Sequence, residues 1–404
     1  MIRLPLRSCQ IENSACKEGL IVRPKAATFL FRRASGMGEV ALHTDRRSFL
    51  AGALAVPLSV APARQRSVPW IDGLSFLPDD MARIPAAGLD AMIVDISKIQ
   101  TVAGPSGEPT YLRGFEANDP AIDAAVARLA SSKVAYLALR GSDIGRRPGC
   151  ATFLQFQSTE MVGDDLTRLA RFHAKGLRVI QFTHHNNTPF AGGAIEPTQR
   201  GLSRLGIEGL GEMNRLKLLP DVSHGSVATM LDAARLSRTP IVLSHGAARA
   251  LVDHPRAAPD EVIRAIANRG GMMGVFMMSF WLTRDPVPTP QHYVAQLRHV
   301  INVGGIDAVG IANDFPMDGE AKLVKLGNDN AAGVKNYLDW WRAMDRRGVP
   351  GFAWTPQHVV IPEFNNIHRM ERIAATLERS GFRSGEIERI MGGNWRRVLT
   401  DVLG

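Results

Sequence analysis

Two histidines stand one helix apart in this chain. His224 ends Pro220-Asp221-Val222-Ser223-His224, and His245 ends Pro240-Ile241-Val242-Leu243-Ser244-His245. Each closes a short apolar run with Ser-His, and the stretch between them, Val227 to Arg235, reads as a helix. Consecutive βα units with a histidine at each strand's C-terminal end put both imidazoles on one rim of a barrel, the rim where such barrels keep their chemistry. A neutral imidazole is the commonest side chain for holding a transition metal. The pair therefore points to metal-dependent hydrolysis.

The elements that must position these residues follow from apolar periodicity. Buried parallel strands are expected at 71–77, 91–96, 134–139, 152–156, 177–182, 219–223, 240–244, 272–278 and 308–311, because each is a short apolar run bounded by polar or turn residues. Helices are expected at 120–131, 163–174, 205–217, 260–268 and 291–303, and the segments 336–347, 367–380 and 384–403 read as amphipathic helices with few strands between them. The alternation predicts an α/β fold, a (β/α)8 TIM barrel with C-terminal helical additions, in which one of the nine strand candidates is an added edge strand or a false assignment. A doubly wound sheet is the competitor. The glycine-rich phosphate turn expected after its first strand in a dinucleotide-binding form is missing. The segment 103–109 reads as a turn-rich surface loop.

The chain carries a formal net charge of +9. Nine basic and four acidic groups fall within residues 1–63, so that stretch holds +5 and the rest only +4, too little to argue for nucleic-acid binding. Thr44-Asp45-Arg46-Arg47-Ser48-Phe49-Leu50, then a modest apolar run and Ala61-Pro62-Ala63, has the three parts of a twin-arginine export signal. The run is too short to span a bilayer permanently. Residues 1–63 are expected to be a leader, and residues 64–404 a barrel domain released to the periplasm or beyond. Met37 opens a more usual leader than Met1 does. Of three cysteines only Cys150 lies beyond residue 63, so the barrel domain has no internal disulfide and Cys150 is expected to be inert.

Several segments in order resemble the membrane (renal-type) dipeptidase family. They are Gly206-Ile207-Glu208-Gly209-Leu210-Gly211-Glu212-Met213-Asn214, Asp221-Val222-Ser223-His224, Ser244-His245-Gly246 and Asp253-His254-Pro255-Arg256, continued by Gly270-Gly271-Met272, Val309-Gly310-Ile311-Ala312-Asn313-Asp314 and Met391-Gly392-Gly393-Asn394-Trp395. The match runs from about Trp70 to the C-terminus. The resemblance implies a barrel that hydrolyses dipeptides with two bridged zinc ions and works as a homodimer. It implies metal-binding roles for His224 and His245, an acid/base role for Asp314, and substrate orientation by His184. Arg256, in the loop after the His245 strand and further out than the others, would hold the substrate carboxylate.

The family's first strand carries Asp-Gly-His-x-Asp-x-Pro. Here the stretch is Asp72-Gly73-Leu74-Ser75-Phe76-Leu77-Pro78, with Leu74 and Phe76 where two metal ligands belong. Neither side chain offers zinc a lone pair. Gln157 stands where the bridging glutamate is expected, and a neutral amide lacks the charge that offsets repulsion between two cations. Three outcomes stay open. One zinc ion, rather than two, is held through His224, His245 and a third group such as Gln157, Asp314 or water. Or substitutes such as Glu160, Asp79, Asp80 or His185 repair the site. Or no metal binds. The leading expectation is an exported hydrolase of dipeptides or related small amides. The alternative is a barrel that binds a small carboxylated ligand without turnover. His185 reads as a loop residue, and Trp281, Trp340, Trp341, Trp354 and Trp395 as packing groups.

Overall fold

The parallel strands alternate with helices, and each strand's apolar run is buried on both faces, as the sequence pattern requires of a sheet covered on one side and filled on the other. The computed structural model describes residues 66–103, 109–320, 331–355 and 358–404. The export signal read in residues 1–63 lies outside them. Eight strands pair in parallel in the order β1 (Ile71–Ser75), β2 (Ala91–Asp95), β6 (Cys150–Phe156), β7 (Leu177–Gln181), β8 (Leu219–Asp221), β9 (Val242–Gly246), β10 (Met272–Val275) and β11 (Val309–Ile311). The ninth strand, β5 (Ala135–Leu137), pairs only with the start of β6, so it is the added edge strand that the sequence left unassigned. Helices α1 (Phe115–Ser131), α2 (Thr167–Lys175), α3 (Arg204–Leu216), α4 (Val227–Leu236), α5 (Asp260–Asn268) and α6 (Pro290–Gly304) connect the strands. Helices α7 (Ala331–Arg346), α8 (Arg369–Arg379), α9 (Ser384–Glu388) and α10 (Asn394–Leu403) follow.

Two hydrophobic clusters divide the core. One contains inward residues from seven of the barrel strands, among them Ile71, Ile93, Phe153, Val179, Leu219, Val242 and Met272, with Ala312 just after β11 and Trp395, Leu399 and Leu403 of α10. Helix α10 thus plugs the barrel interior. The other cluster holds the alternate strand residues and the helix faces packed on them. This is the period-two division expected of barrel strands.

The seam between β11 and β1 closes with side chains and single bonds in place of a ladder. The Asp72 carboxylate accepts from the backbone N–H of Asn313 (2.8 Å) and from its Nδ2 (2.8 Å), and the Asp314 N–H donates to the Leu74 carbonyl (2.9 Å). Trp395 is wedged across the same seam. Its Nε1 donates to the Ile311 carbonyl at 2.8 Å, and a Cβ at Gly73 would lie 2.0 Å from its ring, so only glycine fits there.

Three local expectations change. The ends of the loop read at 103–109 belong to two paired antiparallel strands, β3 (Gln100–Ala103) and β4 (Pro109–Leu112), and 104–108 lie outside the described residues. Helix α2 begins at Thr167 because Gly163 adopts a left-handed φ of 63° and the Asp165 side chain accepts from the Thr167 N–H. The stretch 384–403 is broken by a wide turn at Arg389–Gly393 between α9 and α10. Cys150 is buried, and burial pushes its thiol far above the ordinary range, which keeps it the inert thiol expected from sequence. Among the described residues no helix is long and apolar enough to cross a membrane.

Candidate active site

The site is built on the C-terminal ends of β7, β8, β9 and β11. His184 and His185 follow β7, His224 follows β8, His245 lies on β9, and Asp314 follows β11. Three of these residues hold a left-handed backbone: His185 (φ 67°), His224 (φ 61°) and Asp314 (φ 52°). Such a φ costs a side-chain-bearing residue about 1–2 kcal/mol, and strain of this kind gathers at functional sites. For His224 and Asp314 the surrounding bonds enforce it. The His224 carbonyl accepts from the Ala194 N–H at 2.8 Å, and the Asp314 N–H is committed to the seam.

The imidazoles touch one another. His224 Nε2 lies 2.7 Å from His245 Nε2, and His224 Nδ1 lies 3.2 Å from His185 Nδ1. The His184 ring stacks on His224 at 4.3 Å and meets His185 edge-on at 4.6 Å. Beneath them Asp221 anchors a polar layer. Its carboxylate accepts from the N–H groups of Ser223 and Ser244 (2.9 Å each), from the two serine hydroxyls (2.7 and 2.5 Å), and from Gln155 Nε2 (2.7 Å). The Ser244 hydroxyl in turn lies 2.8 Å from His245 Nδ1. Burial raises the Asp221 pKa while these donors oppose the rise.

Burial dominates the electrostatics. It holds all four histidines well below the usual imidazole range, helped by the guanidinium of Arg256 at His185, His224 and His245, and of Arg113 at His184. All four rings are therefore neutral, the form that can ligate. Asp314 rises to about 7, chiefly by burial, against the pull of Arg256. Its Oδ2 stands 4.0 Å from His245 Nε2.

Arg256 departs from its expected place further out. It is 1% exposed, and its Nη2 donates to the His245 carbonyl at 2.9 Å. Its Nε and Nη1 are buried with no partner among the described residues. Its guanidinium lies over Phe276 and Trp281, at 5.5 and 5.7 Å from their rings. A short loop can fold its side chain back under the rim, a reach that sequence distance from the strand does not convey.

The other side of the rim is different. Leu74 is fully buried within the barrel's interior cluster, and Phe76 is partly exposed. The side-chain amide of Gln157, 4% exposed, makes no hydrogen bond among the described residues, although its backbone N–H donates to Ser97 and its carbonyl accepts from Gln181. Of the four substitutes weighed from sequence, Asp79 and Asp80 are exposed, Asp80 capping a short helical turn, and Glu160 accepts from the Arg113 N–H (2.8 Å). Only His185 joins the cluster. The ligand atoms of His184, His185 and His224 lie within 4.8 Å of one another. These residues do not fit a two-ion centre, because the first position lacks donors and the bridge lacks charge. They do fit one ion, since three neutral imidazoles converge.

Sequence reasoning missed the aromatic cover. Helix α7 brings Trp340 to 5.2 Å from the His185 ring, and Tyr337, held up at about 12 by burial, feels the Asp314 charge. The Trp340-Trp341 pair was visible in the sequence, but nothing there placed Trp340 against a histidine.

An eight-stranded parallel barrel with histidines and an acid on its C-terminal rim defines a hydrolase-type (β/α)8 barrel. The family model described as membrane dipeptidase (peptidase family M19) matches residues 133–350, and the chain belongs to that family of metallopeptidases. Dipeptidase tcpJ of Claviceps purpurea (strain 20.1) is 35% identical over 213 residues, 51% of this chain and 48% of that protein. The chain spans about half the length, or less, of the curated relatives it matches. Two solved structures share the fold. An amidohydrolase from Pseudomonas aeruginosa has TM-score 0.67 at 23% identity, over 83% of this chain and 97% of that one. A metallo peptidase from Rhodobacter sphaeroides, liganded with a phosphinate mimic of dipeptide L-Ala-D-Ala, has TM-score 0.64 at 19% identity, over 83% of this chain and all of that one.

Proposed function

We propose that this chain is an exported hydrolase that cleaves dipeptides or related small amides bearing a free carboxylate, with one zinc ion held among the rim histidines around His224. The observation that carries this reading is Arg256. A buried guanidinium with two unpartnered nitrogens beside the histidine cluster is costly unless an anion completes it. A substrate carboxylate supplies the charged acceptor that these buried donors lack.

Arg256 fixes the substrate by its carboxylate, so the amide lies against the rings. Asp314 takes the proton of the attacking water. A carboxyl held at about 7 is divided between acid and base near neutral pH, the condition in which one group can accept that proton and return it to the leaving amine. The ring nitrogen of His184 that does not face the ion donates its N–H to the oxygen that gains negative charge. The zinc ion, when bound, supplies Lewis acidity and eases proton loss from water. Trp340 and Tyr337 keep bulk water from the rings. The twin-arginine segment in residues 44–63 is the basis for export.

Loss of donors at Leu74, Phe76 and Gln157 favours a second reading, a barrel that binds a carboxylated ligand without hydrolysis. The test is a panel of dipeptides, each paired with its C-terminal amide. Turnover of the free acids, falling about 100-fold or more for the amides, is the expected result. Calorimetric binding of the acids with no turnover would establish the second reading.

A further inference from the structure

We propose that His185, which stands outside the family's expected ligands, is a metal ligand in this chain. A single ion then sits on the Nδ1 side of His224, held by His184, His185 and His224, and His245 supports His224 from behind. This rests on the reading that the rim binds a transition metal.

The hydrogen-bond network assigns the protons. Asp221 is surrounded by donors, so the Ser244 hydroxyl gives it its proton and is left to accept from His245 Nδ1–H. Neutral His245 then carries its lone pair on Nε2. At 2.7 Å from that atom, His224 Nε2 must bear the hydrogen. The lone pair of neutral His224 is therefore on Nδ1, which faces His185 Nδ1. The chain Asp221–Ser244–His245–His224 is the kind of carboxylate-anchored support that fixes the tautomer of a ligating histidine.

Spacing agrees. Two nitrogens on one tetrahedral zinc, each about 2.0–2.1 Å away, stand about 3.3 Å apart. The His224–His185 pair is at 3.2 Å, whereas the His224–His245 pair, at 2.7 Å, suits a hydrogen bond and is too close to share an ion. Lone pairs lie in the ring planes, so rings that cross steeply can aim at one point. His185 crosses His224 at 73° and His184 at 80°. His184 stacks on His224 at 18°, and its ring must turn to complete the set, although the three ligand atoms are already within 4.8 Å. The left-handed backbone of His185, whose carbonyl also accepts from the Ile195 N–H at 3.3 Å, brings its Nδ1 to His224. An imidazole-only set with no carboxylate favours zinc, cobalt, nickel or copper over magnesium, calcium or manganese.

The test uses the full chain loaded with cobalt(II) or zinc. One ion per chain is expected. His185→Cys should give a thiolate-to-cobalt charge-transfer band, and His245→Cys should not. His185→Ala should release the ion, whereas His245→Asn should weaken it by about 10–100-fold, as loss of a supporting group does. Circular dichroism checks that each variant folds. Ring-nitrogen NMR of the unsubstituted zinc-loaded chain needs no variant, and it should show His224 coordinated through Nδ1. Coordination of His224 through Nε2, or a charge-transfer band from His245→Cys alone, would overturn the assignment while leaving a metal-dependent hydrolase in place. A chain that takes up no ion would overturn the metal reading of the function as well.

Discussion

The rim contributed by β7, β8 and β9 carries His184, His185, His224 and His245, while the rim contributed by β1 and β6 carries Leu74, Phe76 and Gln157. The first arc stands on Asp221, whose bonds to Ser223, Ser244 and Gln155 lie beneath the rings. Removing His245 would strand part of a buried network, and stranded polar groups cost about 1–3 kcal/mol each. The second arc stands on apolar side chains. Leu74 packs with Ile71, Ile93 and Phe153, so an apolar residue there satisfies its surroundings without a metal. The contrast puts the histidines and their polar support on one side of the barrel and apolar packing on the other.

Asp314 stands where the two arcs meet, and its replacement has the largest expected effect. Asp314→Asn should lower kcat/KM by about 10²–10⁴-fold. In the unsubstituted chain activity should rise with pH through about 7, as the carboxyl loses its proton, and that limb should vanish in the variant. Hydrolysis unchanged by the substitution would detach the histidine arc from catalysis. Arg256→Gln comes next. It should raise KM for free-acid dipeptides by about 10²–10³-fold and leave the C-terminal amides nearly unaffected. Equal losses on both substrates would mean that Arg256 acts through packing.

Leu74→Ala sharpens the other half of the comparison. A fully packed leucine should cost about 2–4 kcal/mol in denaturant unfolding, whereas a loss below about 1 kcal/mol would reveal a cavity where the first ion's ligand was expected. The smallest effect concerns Asp72, pushed up to about 6 by burial against its bonds to Asn313. A carboxyl whose folded pKa is raised contributes most below its unfolded value, near pH 4, and loses that contribution as pH rises through 6. The chain should lose about 1–3 kcal/mol across that window from this group, and Asp72→Asn should flatten the slope.

Much of this was legible in the sequence, and its limits are physical. Apolar runs located all eight barrel strands because such strands are buried on both faces, and Ser-His at two strand ends located the rim. His185 does lie in a loop, as read, but the left-handed backbone that brings its Nδ1 to His224 is something residue type does not report. Arg256 does lie in the loop after the His245 strand, as read, but sequence separation says nothing of its side chain folding back to the His245 carbonyl. The hairpin of β3 and β4 escaped because its four-residue strands carry little apolar pattern. The substitutions at Leu74, Phe76 and Gln157 were visible at once, because a missing lone pair needs no geometry to recognise.

Trp395 sets an order on the making of the molecule. It joins Gly73 on the first strand to Ile311 on the last, and its helix fills the barrel from below. A ribosome that has delivered all eight strands has still not delivered the side chain that locks the first to the last. The seam therefore cannot be locked until Trp395 has left the exit tunnel, well after the eighth strand has emerged.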